Sequence, residues 1–167
     1  GRDTIVFALA GGTAITGTIN PLAIAAGDLY IDGRGLQAPI GTPVSIRFGI
    51  SVAGSNVDLS FLDFQTNTHS LTFTGSTNTV SYSSFTTTGI QQNSVWINGG
   101  SGSTVKACVF TNTVGHAVSI ENGGAHLIDS CTVTGNTDVA IIARGTGDNI
   151  ITRCLVSNGK HNGIGLI

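Results

Sequence analysis

The chain has 167 residues, which is enough for one domain with a sizeable buried core. Only 10% of the residues are charged and the formal net charge is −2, which excludes a basic face of the kind that binds nucleic-acid phosphates. No apolar run approaches the roughly 18 residues of a transmembrane helix, and the three cysteines cannot all pair with one another.

Residues 1–56 predict short β-strands in a loose order. Apolar and β-branched runs at 4–7, 14–15, 18–19, 29–31 and 45–48 are separated by stretches that contain Gly or Pro. Nothing in this part has the periodicity of a long amphipathic helix. We interpret it as the irregular first coils of a β-solenoid.

From residue 57 onward, the same pattern returns about every 23 residues, most visibly as Cys108, Cys131 and Cys154. The first predicted column is Val57, Val80, Val105, Ile128 and Ile151, and the second places Ser60 and Ser83 before the cysteines. The third is Leu62, Phe85, Phe110, Val133 and Val156, and the fourth is Leu71, Val95, Val118, Ile141 and Ile164. Such a period predicts five regular coils over residues 57–167, with strands that pair in parallel about 4.8 Å apart.

The repeated strings V/I-x-x-C/S-x-F/V/L and V/I/L-x-I/F/A/L resemble those of the pectate-lyase-like superfamily. The opening Gly-Arg-Asp-Thr-Ile-Val-Phe and the later Leu-Tyr-Ile-Asp-Gly-Arg-Gly resemble the first coils of large bacterial secreted or surface-anchored proteins. The resemblance implies an all-β, single-stranded right-handed parallel β-helix of about seven coils over residues 1–167, placed outside the cell or on its surface. Since the pattern stops in mid-coil, we expect a piece of a longer solenoid, or an end covered by a partner.

The three cysteines are predicted to form a ladder of free thiols in the core. Stacked Cα atoms about 4.8 Å apart could be bridged, but side chains that point the same way disfavour the disulfide dihedral. No His or Cys is spaced to complete a tetrahedral metal set, so we expect neither a metal nor another cofactor. Lys106 and Asp129 occupy one outward position on successive coils and predict a surface salt bridge.

Large apolar residues stand at outward positions, where polar residues would be expected. The predicted row on the first strand is Phe61, Ser84, Val109, Thr132 and Leu155, and the row on the third strand is Thr72, Trp96, Ser119, Ile142 and Gly165. The candidates for a ligand or protein interface are therefore Trp96, Ile142, Phe61, Val109 and Leu155. Trp96 either stacks on a sugar or anchors an interface, or else a neighbouring loop covers it.

The acidic residues do not predict an active site. Asp58, Asp63, Asp129, Asp138 and Asp148 are scattered, and no pair has the spacing that glycoside hydrolysis requires. The leading hypothesis is a secreted or cell-surface structural or adhesive protein, which associates with itself or other surface proteins through apolar faces or solenoid ends. The alternative is a polysaccharide-binding protein, or the N-terminal part of a polysaccharide lyase or glycoside hydrolase.

Overall fold

The computed structural model describes residues 2–10, 14–16, 21–37, 43–89, 92–144 and 147–167, with the backbone alone at 8–10 and 35–37. These residues form three parallel sheets of seven strands each. No helix in the described part of the chain is long and apolar enough to cross a membrane.

Each coil contributes one strand to each sheet in turn. Sheet A contains β1 (Asp3–Ala10), β4 (Leu29–Gln37), β7 (Val57–Ser60), β10 (Thr79–Ser81), β13 (Thr104–Lys106), β16 (Leu127–Asp129) and β19 (Ile150–Thr152). Sheet B contains β2 (Ala14–Ile15), β5 (Val44–Ile46), β8 (Leu62–Thr66), β11 (Ser84–Thr87), β14 (Val109–Thr111), β17 (Thr132–Thr134) and β20 (Leu155–Ser157). Sheet C contains β3 (Leu22–Ile24), β6 (Ile50–Val52), β9 (Leu71–Phe73), β12 (Val95–Ser101), β15 (Val118–Gly124), β18 (Ile141–Ala143) and β21 (Ile164–Leu166).

This arrangement confirms the predicted β-solenoid with about 23 residues per coil. Alternate side chains of each short strand point inward, and the inward residues of successive coils stack in columns. The rings of Phe64, Phe85 and Phe110 show this best, because their centroids are 4.8 Å apart at both steps, which is the spacing of paired strands. All three rings are buried in the core between the sheets.

The predicted columns are correct from Val80 onward, and the fourth column is also correct before it, since Leu71 pairs with Val95. The first three columns are wrong in the coil before Val80. Leu59, not Val57, pairs with Val80, and Phe64, not Leu62, pairs with Phe85. The second column fails in the same way, since Ser60 pairs with Ser81 rather than lying beside Ser83. A slip of two residues keeps the same side chains inward, so hydrophobic alternation alone does not distinguish the two registers.

From β7 onward, a single residue in the left-handed conformation makes each bend between sheets A and B. The bend residues have φ values between 50° and 55°, and they are Phe61, Tyr82, Ala107, Ser130 and Arg153. Left-handed geometry costs a residue with a side chain roughly 1–2 kcal/mol, so stacking between coils must hold these bends in place. The bend column therefore brings five different side chains to one corner of the solenoid.

A column of polar side chains supports the turns between sheets C and A. Asn78 Oδ1 accepts a hydrogen bond from the backbone N–H of Val57 at 2.9 Å, and Ser103 Oγ accepts one from Asn78 at 3.4 Å. His126 Nδ1 accepts from Ser103 at 3.1 Å, and Asn149 Oδ1 accepts from His126 at 3.0 Å. Each coil thus satisfies a backbone donor of the coil before it, which keeps these buried N–H groups paired.

Candidate functional site

The outer face of sheet B carries three rows of polar side chains over β5, β8 and β11. The pairing of these strands aligns Ser45 with Asp63 and Ser84, which form the first row. The next outward positions bring Arg47, Gln65 and Thr86 together in a second row, and Asn67 and Thr88 in a third. A groove of about 580 Å³ runs over these rows and is lined by Arg47, Gln65, Thr66, Asn67, Thr86 and Thr88.

Among the described residues, Asp63 supplies the only carboxylate beside this groove. Both of its oxygens already accept hydrogen bonds. Asp63 Oδ2 accepts from Ser45 Oγ at 2.8 Å and from Gln65 Nε2 at 2.6 Å. Asp63 Oδ1 accepts from Ser84 Oγ at 2.6 Å. Three donors on three successive coils therefore hold this carboxylate in place, and it organises the groove rather than offering a free acid or base.

Arg47 is the cation of the groove. Its side chain is exposed, and none of the described carboxylates lies within ion-pairing distance of it. The remaining lining groups are hydroxyls and amides, which both donate and accept hydrogen bonds. The groove can therefore bind a ligand rich in hydroxyl groups, with one positive charge at its edge.

A chain of buried hydroxyls lies beneath the groove. Thr66 Oγ1 is 2.7 Å from Ser70 Oγ, Ser70 Oγ is 3.0 Å from Thr87 Oγ1, and Thr87 Oγ1 is 2.7 Å from Ser94 Oγ. These bonds link two coils across the turn between sheets B and C. They fix the backbone that presents Asn67 and Thr88, so the groove is formed before any ligand arrives.

In the following coils the first row of this face becomes apolar, while the second row stays polar through Thr111, Thr134 and Ser157. Val109 pairs with Ser84 on one side and with Thr132 on the other, and Thr132 pairs with Leu155. Val109 is 46% exposed and Leu155 is 61% exposed. Both predicted interface candidates therefore lie on the surface, Val109 beside Ser84 and Leu155 two coils further along. We call Val109, Thr132 and Leu155 the apolar strip.

Phe61 lies at the bend and not in the outward row of sheet B, so its predicted place is wrong. Asp63 occupies that row position, because the coil is shifted by the two-residue slip. At the bend, the ring of Phe61 stacks on Tyr82 with centroids 5.2 Å apart, and the Arg34 guanidinium lies 4.7 Å from its centroid. Arg34 in turn donates to the buried carboxylate of Asp32, and these hydrogen bonds lower the pKa of Asp32.

On sheet C, Trp96 is half-buried and its ring stacks on His69 with centroids 5.0 Å apart. The two rings border a groove of about 290 Å³, which Pro21, Ser51, Thr68 and Thr72 also line. The indole Nε1 is buried and has no hydrogen-bond partner in the described part of the chain. The ring of His69 therefore covers one face of Trp96.

Ile142 does not contribute to an exposed face, although it stands at the predicted outward position. It is only 2% exposed. The next coil has Gly165 at this place, and an added Cβ there would meet Val139 Cγ1 at 3.3 Å and Ile142 Cγ1 at 3.6 Å. Val139 and Ile142 together fill the space above the glycine, so the isoleucine packs within the chain.

The three cysteines are free thiols in one column. Cys108 and Cys131 are buried, and Cys154 is partly exposed. Each Sγ donates to the backbone carbonyl two residues earlier, at 3.4 Å for Cys108, 3.4 Å for Cys131 and 3.2 Å for Cys154. The hydrogen bond with Cys108 and burial raise the pKa of Cys131, and burial raises that of Cys154.

The ion pair at Asp129 differs from the predicted one. Asp129 and Lys106 are paired neighbours, but the carboxylate accepts from Arg153 Nε at 2.8 Å and from Arg153 Nη2 at 2.6 Å. This two-pronged hydrogen bond is the main cause that lowers the pKa of Asp129. The guanidinium reaches back from the bend of the next coil, a position that strand periodicity does not reveal.

Two histidines in the turns between sheets B and C, His69 and His116, bond to the backbone. His69 Nδ1 accepts from the N–H of Asn93 at 3.0 Å, and His116 Nδ1 lies 2.7 Å from the carbonyl oxygen of Val139. Among the described residues, no group of three or more His, Cys, Asp or Glu side chains is placed to hold a metal ion.

Sequence reasoning missed the groove and Tyr82. The alternation of Ser45 with Arg47, of Asp63 with Gln65 and of Ser84 with Thr86 is visible in the sequence. The three pairs stack only when the interval between the second and third is read as 21 residues, which is the pairing that the structure shows. The correct register would therefore have revealed the polar face.

Comparison with curated proteins gives no match, and comparison with solved structures gives none either. Comparison with protein families gives one match, to the family described as the right-handed beta helix region, and it covers residues 48–167. The matched part includes the groove residues from Gln65 to Thr88 but not Arg47, together with the apolar strip and the cysteine column. With parallel sheets stacked in coils and a family match over most of its length, the chain belongs to the right-handed β-helix family.

Proposed function

We propose that this β-helix is an adhesive protein of the cell exterior that binds carbohydrate in the groove on sheet B. The observation that supports this most directly is the composition of the groove, where hydroxyl, amide and guanidinium groups surround a volume of about 580 Å³. Ligand sites of small molecules have volumes of this order. Sugars present many hydroxyl groups, which both donate and accept, and this lining offers matching partners.

The regularity of the solenoid supports the same function. Polar groups on neighbouring coils are separated by about 4.8 Å, and alternate positions along one strand by about 6.6 Å. The backbone ladder and the buried hydroxyls fix this lattice. A repeating saccharide can therefore meet several hydrogen-bonding groups without reordering the protein, which reduces the entropic cost of binding.

The arrangement of charges favours binding over catalysis at this face. Asp63 accepts three hydrogen bonds from neighbouring side chains, so it is poorly placed to act as a base. A hydrolase would need a second carboxylate about 5–9.5 Å away, and none of the described residues that line the groove is acidic.

A glycan array tests this function directly. We expect the purified chain to bind at least one printed glycan, and the double variant Gln65→Ala, Thr86→Ala to lose about tenfold or more in affinity. Thr104→Ala is the matched control, since Thr104 is also partly exposed but lies on sheet A. An unchanged affinity in the double variant, or no binding by the wild-type chain, would reject the proposal.

Self-association is a second candidate function, favoured by the apolar strip. Val109 and Leu155 expose 46% and 61% of their surface on one flat face, and a second copy of the chain could cover them. We expect concentration-dependent dimers in analytical ultracentrifugation, which Val109→Ser with Leu155→Ser would abolish. A strict monomer at all concentrations would reject this function and leave carbohydrate binding standing.

A further inference from the structure

We infer that the saccharide lies across the stack of coils, along strand β11, and that its terminal ring stacks on Tyr82. This inference rests on the proposed function and specifies the direction of the ligand and a further binding residue. Tyr82 comes two residues before β11, which begins at Ser84. Its ring stands at the bend, at the opposite end of the strand from Thr88.

The polar positions of this coil form one line. Ser84 and Thr86 stand at alternate outward positions of β11, and Thr88 follows directly after the strand. At about 3.3 Å per residue, the distance from Ser84 to Thr88 is about 13 Å, and Tyr82 extends the line beyond it. The line is thus longer than one sugar ring and offers several successive contacts.

Tyr82 presents one open face. Phe61 stacks on its other face with nearly parallel planes, 9° apart, and Arg34 caps Phe61 in turn. The next bend residue along the stack is Ala107, whose methyl group is too small to cover a phenol ring. Tyr82 accordingly remains 54% exposed despite the stack.

The backbone that carries the ring of Tyr82 is also rigid. Tyr82 has φ 50°, and its backbone N–H donates to the carbonyl oxygen of Lys106 at 3.1 Å. A fixed aromatic face contributes contact area at a small cost in conformational entropy. It is therefore a suitable surface for the flat C–H face of a pyranose ring.

Local charge favours a sugar over a cationic side chain at this ring. Lys106 precedes Ala107, and among the described residues it forms no ion pair. Lys106 pairs with Ser81, the residue before Tyr82, so its positive charge opposes a cation–π contact of Tyr82 with a partner's Lys or Arg. A neutral pyranose meets no such repulsion.

The position of Tyr82 explains why the ligand would follow the strand. Over the first row, a saccharide along the solenoid axis would pass from Ser84 to Val109, where its hydroxyl groups lose water without gaining a hydrogen bond. The second row stays polar in the following coils, but an axial ligand on that row does not reach the ring of Tyr82 at the bend. The line from Tyr82 to Thr88 joins the groove to the ring.

The test uses arrays printed with cello-, xylo- and manno-oligosaccharides, each from the disaccharide to the hexasaccharide. For a series that binds, we expect the affinity of the wild-type chain to rise with length and then level off. Tyr82→Ala should bind the disaccharide as the wild type does and lose about tenfold for the longer oligomers. Tyr82→Phe should keep the full length dependence, because the ring remains.

The outcomes separate the two proposals. If Tyr82→Ala keeps the wild-type length dependence while Gln65→Ala with Thr86→Ala weakens binding, the groove is supported and the stacking site is overturned. If the wild-type chain binds no series on this or the broader array, both are overturned. Thermal melting of Tyr82→Ala and Tyr82→Phe shows whether the variants are folded, and equal loss of binding in a folded Tyr82→Phe would also overturn the stacking role.

Discussion

At the scale of single residues, His126 makes the stability of the solenoid depend on pH. Its ring is fully buried, Nδ1 accepts from Ser103, and burial lowers its pKa. The unfolded chain therefore takes up a proton more readily than the folded one, so the free energy of unfolding should fall as the pH drops below about 6.5. Above that value this residue contributes no pH dependence.

Asn is the substitution that separates titration from structure here. Asn78 and Asn149 already fill the same column and accept the same type of hydrogen bond. We expect His126→Asn to remove a slope of at most about 1.4 kcal/mol per pH unit from urea-denaturation curves measured between about pH 7 and pH 5. An identical slope in both proteins would show that other groups cause the pH dependence.

The cysteine column predicts an order of thiol reactivity. Only the thiolate attacks a disulfide reagent, and its formation is disfavoured at Cys131 and Cys154, where the pKa is raised. Cys154 is partly exposed, whereas Cys108 and Cys131 are buried. Mass spectrometry after brief labelling of the native chain should find Cys154 modified first. Equal labelling of all three cysteines would mean that the column opens readily in solution.

At the scale of strands and bends, the sequence predicted the coils that repeat regularly and missed the register of the coil before them. The columns from Val105 onward, which include the three cysteines, follow the 23-residue period, and the step from Val80 to Val105 is 25 residues. The coil of Leu59 and Phe64 is separated from the next coil by a shorter interval in the sequence. The alternation of inward and outward residues does not reveal a register slip of two residues. The same slip hid the alignment of the groove and moved Phe61 from the strand to the bend. Burial of Ile142 depends on a glycine in the next coil, which no pattern within one strand shows.

The ring column predicts how strongly one inward position holds neighbouring strands together. Phe85 is 1% exposed and contacts the rings of both Phe64 and Phe110. Phe85→Ala leaves a cavity between two rings and should lower the free energy of unfolding by about 3–5 kcal/mol. Phe85→Leu fills part of the space and should cost clearly less. Urea denaturation measures both, and equal effects of the two variants would contradict the role of the ring stack.

At the scale of the whole molecule, each coil of the solenoid contacts only its neighbours, so stability should be distributed along the stack. Strands β10, β13 and β16 are paired on both sides, while β19 is paired on one side among the described strands. Hydrogen exchange of the native chain should therefore be slowest in the middle coils. A perturbation should also spread only over short distances.

The variant Phe85→Ala tests whether a perturbation in one coil spreads only to the neighbouring coils. Its strand β11 pairs with β8 and β14, so amide exchange should accelerate most in these three strands and least in β20, which lies three places further along sheet B. A globular core would unfold as one unit and would accelerate everywhere by the same factor. Exchange measured by mass spectrometry distinguishes the two, because equal acceleration in β11 and β20 would show that the coils do not act as nearest-neighbour units.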